Sequence, residues 1–270
     1  MNHLLRELAP ISALGWEEIE KEAKRTLKTT LAARRLVDFV GPQGWIAAAV
    51  GTGRSEAAVP GDGGVQVRLR QVLPLVELRV PFEMRREELA AIDRGAKDPD
   101  TDAIIEAARK IAMAEDRAVF HGYAAANIRG ICQGNADALI DIGTSYETYP
   151  RAVAAAVTKL RESGVGGPFA IALSERCYKG LTETTVGGYP VLEHVRRMLD
   201  GPIVWAPALE GGVVLSVRGG DFELTVGQDF SIGYLDHDAE RVRLYIEESF
   251  TFWPLSPQAA VPLTYQNVAQ

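Results

Sequence analysis

The residues in this chain best equipped for chemistry are Asp236, His237, Asp238 and Glu240, which put three carboxylates and an imidazole within five positions. A bound metal would need those side chains to converge, yet neighbouring residues of an extended chain point to opposite sides. The cluster also falls between two predicted strands, where aspartate is ordinary turn chemistry, so a solvated turn is expected. Glu247-Glu248 offers paired carboxylates, but consecutive strand positions face opposite sides and cannot serve one substrate atom. Cys177 follows Arg176, a neighbour that can lower a thiol pKa; on a helix it reads as a buried, inert cysteine. The histidines, His3, His121, His194 and His237, are scattered. Gly219-Gly220 precedes a strand rather than a helix, lacks the helix N-terminus of a phosphate cradle, and reads as a tight hairpin turn. No GxxxxGK[ST] loop, GxGxxG turn, HExxH helix or GxSxG elbow occurs. The expectation is a protein without catalytic residues, metal or cofactor.

Composition narrows the class. Hydrophobic residues are 47% and charged residues 24% of 270, which predicts a globular chain with a full core. No apolar run is long enough to cross a bilayer, and Met1 to Gly15 lacks the continuous apolar stretch of a signal peptide. The two cysteines, Cys132 and Cys177, lie far apart without CxxC spacing, as suits a reducing cytosol. Net charge is -7, with bases interleaved among acids as in Arg85-Arg86-Glu87-Glu88, which argues against nucleic acid as a partner. A cytoplasmic protein with neither membrane nor nucleic-acid partners is expected.

The elements follow from periodicity. Over 13–35, Trp16, Ile19, Ala23, Leu27 and Leu31 form a helical apolar stripe, with Ser12 as N-cap and Glu17–Lys21 and Glu20–Lys24 as i,i+4 pairs opposite. From Trp45 to Phe82 the pattern turns to β: Val65, Val67 and Leu69 alternate with Gln66, Arg68 and Arg70, and Gly61-Asp62-Gly63-Gly64 marks a turn. A segment this long fits a projecting two-stranded arm, which is not stable alone in water and must lie against something. A second helix spans 102–120, carrying Ile104, Ala108, Ile111, Ala112 and Val119, started by Asp102 and stopped by Gly122. Shorter elements then alternate: helices at 151–163, 175–183 and 190–199, and strands at 169–173, 202–206, 213–218, 221–227 and 240–252. Thr264 to Gln270 reads as a frayed tail. Without a regular βαβ rhythm, the fold class is α+β.

Several blocks resemble the encapsulin family of linocin-like shell proteins. They are Arg6-Glu7-Leu8-Ala9-Pro10-Ile11, Ala33-Arg34-Arg35-Leu36-Val37-Asp38, Asp93-Arg94-Gly95, Ala114-Glu115-Asp116 leading into Phe120-His121-Gly122, and Gly187-Gly188-Tyr189-Pro190. The most specific run from Arg218-Gly219-Gly220-Asp221-Phe222 through Gly227-Gln228-Asp229-Phe230-Ser231-Ile232-Gly233-Tyr234 to Glu248-Ser249-Phe250-Thr251-Phe252.

The resemblance implies the Hong Kong 97-type capsid fold. A peripheral domain would be formed by 1–44, 81–133 and 221–270, an extended β-hairpin loop by 45–80, and an axial domain by 134–220. It implies a self-assembling icosahedral shell, of about sixty subunits in its simplest form. Such a shell would enclose a ferritin-like iron oxidase or a dye-decolorising peroxidase, held by the cargo's targeting peptide, and serve iron storage or oxidative-stress defence. By the same resemblance the cargo peptide would dock on Leu27, Leu31, Arg34, Asp38, Asp229, Phe230 and Ile232, an apolar groove with a charge of each sign at its edge. Ordinary core packing for Leu27 and Leu31, and a structural ion pair for Arg34 and Asp38, are the alternatives. Thr184, Thr185, Val186, Gly187, Gly188 and Tyr189 match a five-fold pore loop. Some relatives bind flavin at an outward tryptophan near the equivalent of Arg85–Glu88; no aromatic stands there, so no flavin is expected. A prophage major capsid protein of the same fold is the alternative function; the short stretch before the first helix favours the encapsulin. A hydrolase is a second alternative, for which no nucleophile, base and orienting group can be named.

Overall fold

Ser12 caps the first helix as its type predicts, its Oγ accepting from the Gly15 amide at 3.0 Å. In the computed structural model, which describes residues 3–58, 65–134, 139–143 and 145–265, α1 (Ala13–Thr30) buries Ile19, Ala23 and Leu27, and the chain turns extended at Leu31. The exposed face pairs differently from the i,i+4 expectation: Lys21 bonds Glu18 and Glu20 bonds Arg6. After β1 (Asp38–Val40) come β2 (Ala49–Ala57), β3 (Arg68–Pro74) and β4 (Val76–Arg85), then α2 (Arg86–Asp93) and α3 (Asp102–His121). The α3 stripe is buried as the spacing predicts. Gly122 ends the helix at φ +81°, where a Cβ would lie 2.7 Å from the Ile128 carbonyl, so only glycine fits.

The chain continues through β5 (Ile140–Asp141), α4 (Tyr149–Glu162), β6 (Phe169–Leu173), α5 (Glu175–Glu183), β7 (Thr185–Val186), β8 (Tyr189–Pro190) and α6 (Val191–Arg196). It closes with β9 (Ile203–Trp205), β10 (Gly212–Ser216), β11 (Phe222–Val226), β12 (Ser231–His237), β13 (Arg241–Pro254) and β14 (Ala260–Thr264). Two five-stranded sheets organise these elements. In the first, long β13 pairs with β4 from Arg241 to Phe250, with β12 over its first half and with β11 over its second; β1 joins β11 in parallel. One apolar core lies between this sheet, α1 and α3. The second sheet runs β5-β14-β10-β6-β9. Its strands β6 and β10 are wholly buried, which explains their unbroken apolar runs.

The sequence reading needs correction in four places. Gly219-Gly220 does carry positive φ at both positions, but it is no hairpin, because β10 lies in the second sheet and β11 in the first. Residues 76–80, read as part of the arm, belong to β4 in the first sheet. Residues 260–264, grouped with the first unit and partly with a frayed tail, form β14 in the second sheet. β12 was not expected as a strand: Gly233 interrupts its apolar pattern, because the Tyr245 ring packs where a Cβ would stand.

The arm itself is the hairpin of β2 and β3, paired with each other and almost wholly exposed. The Gly61-Asp62-Gly63-Gly64 turn lies outside the described residues, as do 266–270 of the expected tail. Among the described residues no helix is long and apolar enough to cross a membrane.

Candidate functional site

Leu27 on α1, Phe230 in the loop after β11 and Ile232 on β12 line one groove, together with Ala23, Ile246 and Leu4. Its volume is about 260 Å³, and Arg6, Glu20 and Lys24 stand on its rim. Arg6 is fixed there, 2.5 Å from Glu20 and with its guanidinium 4.1 Å over the Trp16 ring. Leu31 packs partly buried against the same core at the end of α1. An apolar floor with a mixed-charge rim suits a short peptide with apolar anchors.

Arg34 and Asp229 stand beside this groove but are committed to a buried ionic hub. Arg34 Nε donates to Glu115 at 2.8 Å, Nη2 to Glu115 at 2.5 Å and to Glu248 at 3.0 Å, and Nη1 to Asp229 at 2.8 Å. The guanidinium also stacks 4.5 Å over the Phe230 ring, so the hub sets the position of a groove wall. Glu115 and Glu248 are fully buried. Asp38 does not join them. Parallel pairing carries it to the start of β11, where its carboxylate accepts from the Gly220 amide at 2.6 Å, while Asp229 to Ile232 follow the end of that strand. The alternative of an Arg34–Asp38 ion pair therefore gives way to pairs with Glu115, Glu248 and Asp229.

Asp116 lies next in the hub, accepting from the Ala32 and Ala33 amides at 2.9 and 3.0 Å. Burial nonetheless pushes its carboxyl up to about 7, against those two donors. Because the folded state holds this proton more tightly than the unfolded chain, its contribution is fully present below about pH 4. It is lost as pH rises to 7 and changes little beyond. Asp116 therefore adds more to the stability of the folded state at acid than at alkaline pH, by an amount on the order of a few kcal/mol, read as the difference in denaturation midpoint between the protein and its Asp116 variant. Asp116→Asn is that variant; a difference that does not change with pH would refute the assignment.

Sequence reasoning missed Glu115 and Glu248 as partners of Arg34, and Asp116 beside them on the Ala32 and Ala33 amides, although the first two leave a signal. Glu115 falls on the stripe of Ala108, Ala112 and Val119, and Glu248 falls in phase with Val242, Leu244, Ile246, Phe250 and Phe252. A carboxylate on a buried stripe demands a cation, and Arg34 supplies it. The opposed facing expected of Glu247 and Glu248 holds, since Glu247 bonds His3 and Arg79 instead.

Thr184 to Tyr189 form a second feature. Thr184 ends α5, and Val186 and Tyr189 flank a two-residue turn in which Gly187 and Gly188 have φ of 59° and 79°. Positive φ at both centres matches the twist of a hairpin and selects glycine. Tyr189 is anchored at the base, accepting from Arg197 Nη2 at 2.7 Å and meeting His194 edge-on. The other candidates are engaged in structural contacts. Asp238 caps the turn before β13, Asp236 pairs with Arg243, and Cys177 is buried beside Tyr149 and Tyr265. No group of metal-ligating side chains occurs among the described residues.

Residues 1–251 match the model of the linocin M18 family, described as encapsulating protein for peroxidase. A type 1 encapsulin shell protein of Rhodospirillum rubrum is 56% identical, across 97% of this chain and 96% of that one. One from Mycobacterium tuberculosis is 44% identical, across 98% of this chain and 100% of its own. Among solved structures, a virus-like particle from Pyrococcus furiosus superposes with a TM-score of 0.65 at 16% identity, over 92% of this chain and 98% of that one. The capsid of Myoviridae phage XM1 superposes at 0.56 and 11% identity, over 86% and 90%.

Proposed function

This chain belongs to the type 1 encapsulin shell family and has the capsid fold, and from that premise we propose that about sixty copies close into an icosahedral compartment in the cytoplasm. The compartment takes up one enzyme through a targeting peptide docked in the groove between α1 and β12. The single observation that carries this reading is that groove, where three of the seven expected peptide contacts, Leu27, Phe230 and Ile232, line one apolar recess. A peroxidase is the cargo that the family's description supports; a ferritin-like iron oxidase is the other candidate. Either would place the shell in oxidative-stress defence or iron storage. The first sheet with α1, α2 and α3 makes the peripheral domain, the second sheet with α4, α5 and α6 the axial domain, and the β7–β8 hairpin the pore rim.

The likeness to phage capsids is at the level of fold alone, whereas the relatives at 44–56% identity are encapsulins, which favours this reading over a prophage capsid protein. The shell subunit is structural, and the proposal gives it no catalytic residue. Electron microscopy of the chain expressed alone should show uniform hollow particles. Coexpressed with a dye-decolorising peroxidase bearing its own C-terminal peptide, the shells should fill, and Phe230→Ala or Leu31→Asp should leave them closed but empty. Undiminished loading in both variants would remove the groove from the account, and small oligomers under all conditions would remove the shell.

A further inference from the structure

The hub holds more negative charge than it can keep. Glu115 and Glu248 are both fully buried, and both accept from the same Arg34 nitrogen, Nη2, at 2.5 and 3.0 Å. Two ionised carboxylates on one guanidinium nitrogen, shut off from water, exceed the charge it neutralises, so one of them must carry a proton. Glu248 Oε1 is buried without a hydrogen-bond partner, so nothing there stabilises a charge on that oxygen. The charges around the pair come from every element packed on it. Arg34 after α1 supplies the one cation in direct contact among the described residues, Asp116 on α3 adds a carboxyl, and Asp229 before β12 adds another at 42% exposure. With the proton in place, Arg34 can bond Glu115 through two nitrogens and still reach Glu248 and Asp229. Without it, two full charges would share a site closed to water, a few ångströms from two further acids.

We propose that Glu115 and Glu248 share a single proton that pins a clasp: while it is bound, Arg34 holds Asp229 and Phe230 against α3 and β13, and when rising pH removes it the clasp opens and the groove wall at Phe230 loosens. Burial raises the Glu248 carboxyl well above its usual range, with the Glu115 charge adding to the rise. The direction is therefore alkaline opening, the opposite of an acid-triggered histidine switch. Its consequence for cargo, release at high pH, rests on the groove being the docking site; the clasp does not.

Hydrogen exchange tests it, read by mass spectrometry on peptides covering 31–36 and 228–236, between about pH 7.5 and about pH 9, above the range in which Asp116 titrates. Beyond the hydroxide dependence of exchange itself, release of one proton makes opening about tenfold more frequent for each pH unit. Glu248→Gln supplies an amide N–H in place of the shared proton and is expected to abolish that excess slope while leaving exchange elsewhere unchanged. Glu115→Gln serves the same purpose should the first variant fail to fold. No excess slope in the parent protein, or the same slope in the variants, would overturn the clasp. The readout needs neither cargo nor assembly, so its failure is distinguishable from failure of the shell or of the docking groove.

Discussion

Arg34→Met is expected to destabilise the subunit by about 3–5 kcal/mol, the range for stranding buried charge by removal of its partner. Glu115 and Glu248 have no exposed surface, and among the described residues no second cation contacts them directly, so neither water nor another described side chain can take over. Arg34→Lys should recover only part of the loss, since an ammonium cannot reach Glu115, Glu248 and Asp229 along a rigid fork. The informative control replaces the hub: Arg34→Met with Glu115→Leu and Glu248→Leu removes the charges together and should return most of the stability. Denaturant midpoints at fixed protein concentration measure all three, because any assembly couples stability to mass action. A loss in Arg34→Met below about 1 kcal/mol, the scale of exposed pairs, would mean the hub is solvated in practice.

The hub also marks where sequence reading stopped. The long helices were legible because their stripes are uninterrupted and their caps are of the right type: Ser12 and Gly122 act where their chemistry places them. The turn at Gly187 and Gly188 was legible for the same reason, since adjacent glycines between short extended pieces suit positive φ. Pairing was not legible. Nothing local says that β10 and β11, separated by a few residues, belong to different sheets, or that β14 crosses to pair with β10. Such contacts are set by the whole core. The site was half legible. Leu27 and Ile232 meet because each lies on the apolar side of its element, and Phe230 joins them from the loop between β11 and β12. Asp38 went elsewhere because the parallel register of β1 against β11 fixes where along the sheet it lands. Arg34, expected at the edge of a binding surface, instead neutralises carboxylates that sit in phase with apolar neighbours.

Removing the arm should abolish assembly while leaving a folded subunit. Excision of residues 50–73, with Ala49 joined to Pro74 through a short glycine linker, cuts at a point where the two strands already face each other. β4 keeps its full pairing with β13, so neither sheet nor either core loses a strand. What disappears is a pair of strands that buries almost nothing on its own chain, with Val67, Leu69 and Val72 at 45%, 60% and 52% exposure. An isolated two-stranded hairpin is marginal in water at best, and exposed apolar residues along its edge are an aggregation liability unless another chain covers them. On the proposed shell reading, the partner of that surface would be a neighbouring copy, with each copy both giving and receiving an arm. Losing the arm therefore removes a contact at every interface at once, which is why the expected effect is an absence of closed particles rather than a lowered yield. Size-exclusion chromatography with electron microscopy reads assembly, and circular dichroism reads whether the fold survives. Normal shells from the excised chain would place the arm outside the assembly contacts, and an unfolded product would show that it stabilises the subunit itself.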